Sequence, residues 1–192
     1  SFSSFYNVIN TTNASIVHRL NLRAVLSMFQ NFIPTDYVNS STYNSQALYN
    51  PGVKQIQYHK DGVNFPLQYE LDTEYQDLNP TLQQKGENPQ VIRNYINAFN
   101  TYEDTKKSLV NPFNLSPLED RRGRGVYGQG VSFDLVSGAG SNFSDSRVTT
   151  SMESTIDDPA TPGSTKPYGM YTFYLERNAV SIMPDVGLQV VN

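Results

Sequence analysis

The sequence predicts an all-β protein, a β-sandwich or jelly roll that carries one inserted helix. Apolar and polar residues alternate with a period of two over most of the chain, as in strands that bury one face. Turn-forming residues divide the chain into about seven to nine such runs, and no unit repeats at a fixed period, which argues against a propeller. The 192 residues fit one domain of ordinary size, which we place at residues 1–192.

The first half of the chain contains three of the predicted runs. Residues 16–32 form an apolar-rich strand or pair of strands, and an Asn- and Ser-rich polar stretch follows at 35–49. Two further alternating runs, at 53–59 and 63–71, flank the turn-forming pair Asp61-Gly62. This arrangement predicts an antiparallel hairpin.

Residues at about 88–105 interrupt the strand pattern with a predicted amphipathic helix. Asn88 can cap the first turn, and Pro89 suits the first helical position. Apolar residues then recur at helical spacing, at Val91, Ile92, Tyr95, Ile96 and Phe99. We expect this helix to lie across the outside of the sheet.

The second half of the chain returns to strands. Residues 131–136 alternate cleanly, whereas the segment at about 137–167 is small, polar and rich in Pro and Gly. It predicts a long surface loop with at most a short strand near 147–151. The end of the chain is dense in predicted strands, at 168–176, 179–183 and 188–191.

Composition and charge exclude several classes of function. The net charge is −4 and the Lys and Arg residues are scattered, so we expect no direct contact with nucleic acid. The absence of cysteine excludes disulfides, thiolate metal sites and cysteine nucleophiles. No apolar stretch reaches the ~18 residues of a spanning helix, so we expect no membrane span. The sequence starts without Met or a charged n-region, so we expect a processed product or a piece of a longer chain.

No motif in the chain has both the spacing and the structural context of a catalytic, cofactor or metal site. His18 and His59 lie in predicted strands without a second ligand at i+2 or i+4. The G-x-G-x-x-G pattern at 123–128 precedes a strand, whereas a dinucleotide site needs a helix there. The adjacent pair Asp157-Asp158 is interpreted as surface charge. We therefore expect no enzyme activity, no cofactor and no metal.

Two polar patterns suggest binding surfaces instead. Arg121, Arg122 and Arg124 can bind carboxylates or phosphates through their guanidinium groups, and we predict that they form an inter-subunit contact. Neutralisation by the neighbouring Glu119 and Asp120 is the alternative.

Tyrosines interleaved with Asn and Ser, among them Tyr37, Tyr43 and Tyr49, are typical of sugar-binding surfaces. They keep a carbohydrate- or receptor-binding β-sandwich open as an alternative function. The opposing interpretation is that these rings pack in the core or at a subunit interface.

Three short motifs, and the order in which they occur along the chain, resemble those of a known protein family. The first is Asn50-Pro51-Gly52-Val53-Lys54-Gln55-Ile56 followed by Asp61-Gly62-Val63-Asn64-Phe65-Pro66-Leu67. The second is 118–123 with Gly128-Gln129-Gly130, and the third is 170–176 with 179–182. In this order they resemble the double jelly-roll major capsid proteins of the virophage, polinton-like and adenovirus-type lineage, and the ending is similar to that family's second jelly roll. The resemblance covers residues from about 16 to the end of the chain.

The resemblance implies one eight-stranded jelly roll of a capsomer subunit, because family members carry two rolls in a much longer chain. It implies a structural, non-enzymatic protein of the virion that assembles in the infected host cell. Its partners would be copies of itself, in a homotrimeric capsomer of an icosahedral shell, and neighbouring capsid proteins. Loops such as 137–167 would face the exterior or neighbouring capsomers. If the chain is complete, a single jelly-roll penton or minor capsid protein is the alternative.

Overall fold

The computed structural model describes residues 2–38, 40–41, 48–65, 71–72, 76–79, 84–86, 98, 128–133, 140–161, 163–177, 179–183 and 187–191. These residues contain twelve strands. The strands are β1 (Phe2–Ile9), β2 (Asn13–Pro34), β3 (Val53–Lys60), β4 (Val63–Phe65), β5 (Leu71–Asp72), β6 (Gln76–Asn79), β7 (Gln84–Gly86), β8 (Gly128–Ser132), β9 (Ser141–Ser154), β10 (Tyr168–Glu176), β11 (Ala179–Met183) and β12 (Gly187–Val191).

Eight of the strands form one antiparallel sheet with the order β1-β10-β2-β9-β3-β4, in which β5 also pairs with β3 and β8 with β2. Strands from the start of the chain alternate with strands from its end, so the sheet is not a meander. β6 with β7, and β11 with β12, form two-stranded sheets of their own. The predicted all-β class is therefore confirmed.

A bend in β2 folds the main sheet over into two layers. Thr150 on β9 is the register partner of Ile16, yet its hydroxyl accepts a hydrogen bond of 3.0 Å from Gln30, on the same strand as Ile16. A straight strand would separate residues 16 and 30 by about 46 Å, so the two halves of β2 face each other. The bend coincides with register shifts between Leu20 and Val25, because bulges bend a strand and let it pass from one layer to the other.

The first layer contains residues 13–22 of β2 with β9, β3, β4 and β5. The second layer contains residues 25–34 of β2 with β10, β1 and β8. Large side chains from both layers fill the core between them, among them Leu20, Met28, Phe32, Ile56, Tyr58, Val148, Met152, Met170 and Tyr174.

The second half of β2 is buried on both faces. Its outward-facing Phe29 packs with Leu175 of β10 and with Ala98, which is helical and fully buried. Ala98 thus lies over the outer face of the second layer, where we expected the inserted helix. The rest of the predicted helix at about 88–105 lies outside the described residues.

The predicted surface loop at about 137–167 is wrong for residues 141–154, which form β9 between β2 and β3. Its inward positions include Ser146, Thr150 and Ser154. The apolar alternation that marks a half-buried strand is therefore weak. Residues 155–161 and 163–167 are irregular apart from one bridge between Asp157 and Thr165.

Several other strand predictions are confirmed. β2 covers the predicted run at 16–32, and β10, β11 and β12 lie where they were expected. Asp61 and Gly62 have φ values of 51° and 82°, as a two-residue hairpin turn between β3 and β4 requires. β8 begins before the predicted run, at Gly128, whereas 134–136 lie outside the described residues. The sequence analysis did not predict β1.

Candidate interaction surface

The centre of the core holds a hydrogen-bonded polar cluster. The Gln30 side-chain amide donates to the hydroxyl of Thr150 at 3.0 Å and to that of Thr172 at 3.4 Å. Its carbonyl accepts a hydrogen bond of 3.4 Å from the Tyr58 hydroxyl. All four residues are buried, and the cluster ties β2, β3, β9 and β10 together across the two layers. Each of these four polar side chains therefore has a hydrogen-bond partner, which explains how the cluster can be buried in the core.

His18 joins the same two layers near β1. Its ring stacks on Phe5 with centroids 4.4 Å apart. Nε2 donates to the side-chain oxygen of Asn7 at 2.8 Å, which leaves Nδ1 to accept from the Tyr174 hydroxyl at 3.0 Å. Burial lowers the pKa of His18 and raises that of Tyr174. A neutral, fully bonded imidazole in this position serves packing rather than catalysis.

Lys166 fastens the irregular segment after β9 to the turn after β2. Its ammonium lies 2.9 Å from a carboxylate oxygen of Asp36 and 3.3 Å from one of Asp158, and 4.7 Å from the centre of the Tyr37 ring. Burial acts to raise the pKa of Asp158, but hydrogen bonds from the Ala160 amide and from Lys166 outweigh it and lower that pKa. Asp158 is therefore an ion-pair partner rather than the plain surface charge predicted from the sequence.

The Asn50-Pro51-Gly52 motif forms the turn that starts β3. The Asn50 side-chain oxygen accepts hydrogen bonds from the amides of Gly52 and Val53, at 2.8 and 3.2 Å. Gly52 has a φ of 70°, and a Cβ there would collide with the Thr155 side chain. Only glycine fits this position without a shift, so the first motif of the resemblance has a structural role.

The described residues hold no group of three or more His, Cys, Asp or Glu side chains that is arranged to hold a metal ion. A shallow depression of about 270 Å³ beside the start of β2 includes the carboxylate of Glu153, which lies 3.9 Å from the ammonium of Lys54. Among the residues that the structure describes, no helix has the length and apolarity needed to cross a membrane.

The residues singled out from the sequence are not brought together in one site. Tyr37 and Tyr49 are buried, with ring centroids 5.3 Å apart. Neither ring is therefore open to a sugar, and the core-packing interpretation holds for both. Tyr43, Arg121, Arg122 and Arg124 lie outside the described residues. His18 is buried in β2, whereas His59 is half-buried in β3.

A surface feature that the sequence analysis missed lies on β1. Tyr6 and Val8 point outward there and are each 51% exposed. The Tyr6 ring packs beside Tyr171 of β10, with centroids 5.0 Å apart, and lies directly over Gly169. A Cβ at Gly169 would come within 2.7 Å of that ring, so glycine leaves the room that the tyrosine occupies.

Comparison with known proteins gives a likeness to solved structures but none to family models or curated sequences. Among solved structures, the chain is similar over 100% of its length to a chain of the PBCV-1 virus capsid, quasi-atomic model, with 14% sequence identity and a TM-score of 0.46. The chain spans 50% of the length of that capsid chain.

Proposed function

We propose that this chain is a structural, non-enzymatic viral capsid protein, the second jelly roll of a double jelly-roll capsomer subunit. It acts in the virion, in homotrimeric capsomers that assemble into an icosahedral shell in the infected host cell. Its partners are further copies of itself and neighbouring capsid proteins. Residues 1–192 form a single domain in this proposal.

The observation that carries the proposal is the strand order β1-β10-β2-β9-β3, in which the two ends of the chain interleave. A jelly roll requires such winding, whereas a meander would have contradicted it. The ordered sequence motifs add support, since the first of them builds the turn before β3 and the hairpin that β3 forms with β4.

The hydrogen bonds and ion pairs of the polar side chains also support a function that depends on contacts at the protein surface. His18, Gln30 and Asp158 all have partners inside the chain. His18 and Gln30 hold the two layers together and Asp158 holds the segment after β9, which leaves the outer faces and edges of the sandwich to make contacts. Arg121, Arg122 and Arg124 remain a proposed inter-subunit contact.

Light scattering after size exclusion, over a range of protein concentrations, tests the proposal. We expect a mass that corresponds to a trimer or a larger closed assembly, and electron microscopy of the same fractions should show regular particles. A monomer at every concentration, combined with saturable binding to sugars on a glycan array, would instead favour the carbohydrate-binding alternative.

A further inference from the structure

β1 forms one edge of the main sheet in the part of the chain that the structure describes. It pairs with β10 on one side through eight consecutive residue pairs, from Phe2 with Leu175 to Ile9 with Tyr168, without a register shift. Its sequence, FSSFYNVI, contains no charged residue and no proline. Sheet edges in soluble proteins normally carry charges, proline or bulges that prevent another strand from adding to them. β1 has none of these features.

The opposite edge of the same sheet provides a comparison within the molecule. There β4 and β5 both pair with β3, β5 contains Asp72, and β4 follows a turn that contains the exposed Asp61. Lys60 precedes that turn, with its ammonium on the main-chain oxygen of Asn142 at 2.6 Å. An edge that carries charged residues is a poor template for pairing. β8, which pairs only with β2 among the described strands, is also uncharged but is almost entirely buried, so β1 is the uncharged edge strand with exposed side chains.

The outward side chains of β1 fit a covered position better than an exposed one. Tyr6 and Val8 present apolar surface directly beside the edge. A strand added to β1 would lie about 4.8 Å away and would bring its own outward side chains against Tyr6 and Val8. Tyrosine is favoured at such contacts because it combines a large apolar ring with a polar tip.

We propose that β1 pairs antiparallel with β1 of a second copy of this chain, about a two-fold axis, so that the second layers of two molecules form one continuous sheet. A second copy is favoured because β1 is a neutral strand on a molecule whose net charge is −4. Two such molecules can meet at β1 without placing like charges opposite each other at the contact. Antiparallel pairing of a strand with itself is also self-complementary, as a two-fold interface requires. The inference rests on the proposed assembly function and names one contact within it.

Lysine substitutions at the edge test this contact. The double variant Tyr6→Lys, Val8→Lys places two like charges on each copy at the shared edge, and we expect the dissociation constant of the pair to rise by roughly tenfold or more. The double variant Val17→Lys, Val63→Lys is the matched control, because it adds the same charge at two exposed valines of the first layer, on β2 and β4, away from β1. Light scattering gives the masses, and circular dichroism checks that each variant is folded.

The absence of cysteine in the chain permits a second measurement. A Tyr6→Cys variant treated with a flexible bis-maleimide should give covalent dimers, whereas a Val17→Cys variant should remain largely monomeric on a denaturing gel. Equal cross-linking of the two variants would mean that the copies meet by random collision, which overturns the inference.

The outcomes separate this inference from the proposed function. If the lysine variant assembles as the unmodified chain does, the β1 contact is wrong while the capsid role stands. If the chain forms β1-linked dimers but no larger particle, the contact is right and the shell-forming role fails. A strict monomer that gives no cross-link would contradict both.

Discussion

Gln30 and His18 are polar side chains that the fold buries between its two layers. Each makes hydrogen bonds to residues far away in the sequence, with Gln30 reaching Thr150 and His18 reaching Tyr174. A buried polar group without a partner costs about 1–3 kcal/mol, so these contacts favour one alignment of the layers over others. Both side chains therefore contribute to stability and to the specificity of the fold.

Replacing Gln30 should reveal the contribution of the central cluster. Gln30→Leu removes the donor that reaches Thr150 and Thr172 and the acceptor of the Tyr58 hydroxyl. We expect the free energy of unfolding, measured by urea denaturation, to fall by about 1–3 kcal/mol. Gln55→Leu, at an exposed position of β3, is the control and should change that free energy by less than about 0.5 kcal/mol. Equal effects of the two substitutions would contradict the structural role of the cluster.

The buried His18 should make stability depend on pH. Because burial lowers the pKa of His18 in the folded chain, the unfolded chain binds more protons once the pH falls below about 6.5. The free energy of unfolding should therefore be fully retained above about pH 6.5 and should decrease by up to about 1.4 kcal/mol per pH unit below it. Urea denaturation between about pH 7.5 and 5.5 measures this slope.

Two variants identify His18 as the source of that slope. His18→Gln should flatten it, because the variant has no imidazole to protonate at this position. Asn7→Ala removes the hydrogen bond to Nε2 but keeps the ring between the layers, so it should lower stability and keep the slope. An unchanged slope in His18→Gln would show that other groups cause the dependence.

At the scale of elements, the segment from 155 to 167 connects β9 to β10 and depends on a few contacts. Lys166 joins it to Asp36 in the turn after β2, and the Tyr168 hydroxyl donates to the main-chain oxygen of Asp157 at 2.6 Å. The segment has little regular pairing of its own. Its conformation is held by these side chains together with isolated backbone hydrogen bonds, such as those from the amide of Asp158 to Ser164 and from the amide of Lys166 to Ile156.

Removing the Lys166 ammonium should loosen this segment. Lys166→Met keeps much of the apolar stem but loses the ion pairs to Asp36 and Asp158, so we expect faster hydrogen exchange and faster proteolysis within 155–167. Lys54→Met is the matched control, because its pair with Glu153 is longer, at 3.9 Å, and more exposed. If both variants exchange at the rate of the unmodified chain, the ion pairs do not hold the segment.

At the scale of the whole molecule, the strand order makes most contacts long-range. β1 pairs with β10, and β2 with β9 and β10, so the two ends of the chain must meet before the sheet can form. Sheets of this kind fold slowly because loop closure precedes any gain from pairing. The same winding leaves β1 and β4 at edges of different character, and assembly through β1 would cover an uncharged strand with exposed side chains.

The proposed inter-subunit contact of Arg121, Arg122 and Arg124 concerns the assembly of whole molecules. The triple variant Arg121→Ala, Arg122→Ala, Arg124→Ala should assemble poorly at moderate salt, because guanidinium groups bind carboxylates bidentately. A triple variant with Ala at Arg19, Arg147 and Arg177, which are exposed, has the same change in net charge and is the control. Light scattering compares the two, and normal assembly of the first would contradict the contact.

The all-β class, most of the strands and the β3–β4 turn could be predicted from the sequence, because alternation and turn chemistry are local properties. Asp61-Gly62 adopts its predicted turn, with positive φ at both residues. The sequence did not reveal β9 as a central strand, nor β1 at all, since their polar residues hide the alternation. The roles of Gln30 and His18, and the contrast between the two sheet edges, were decided only by the tertiary structure. The physical reason is that each depends on groups from distant parts of the chain, which come together when β2 bends.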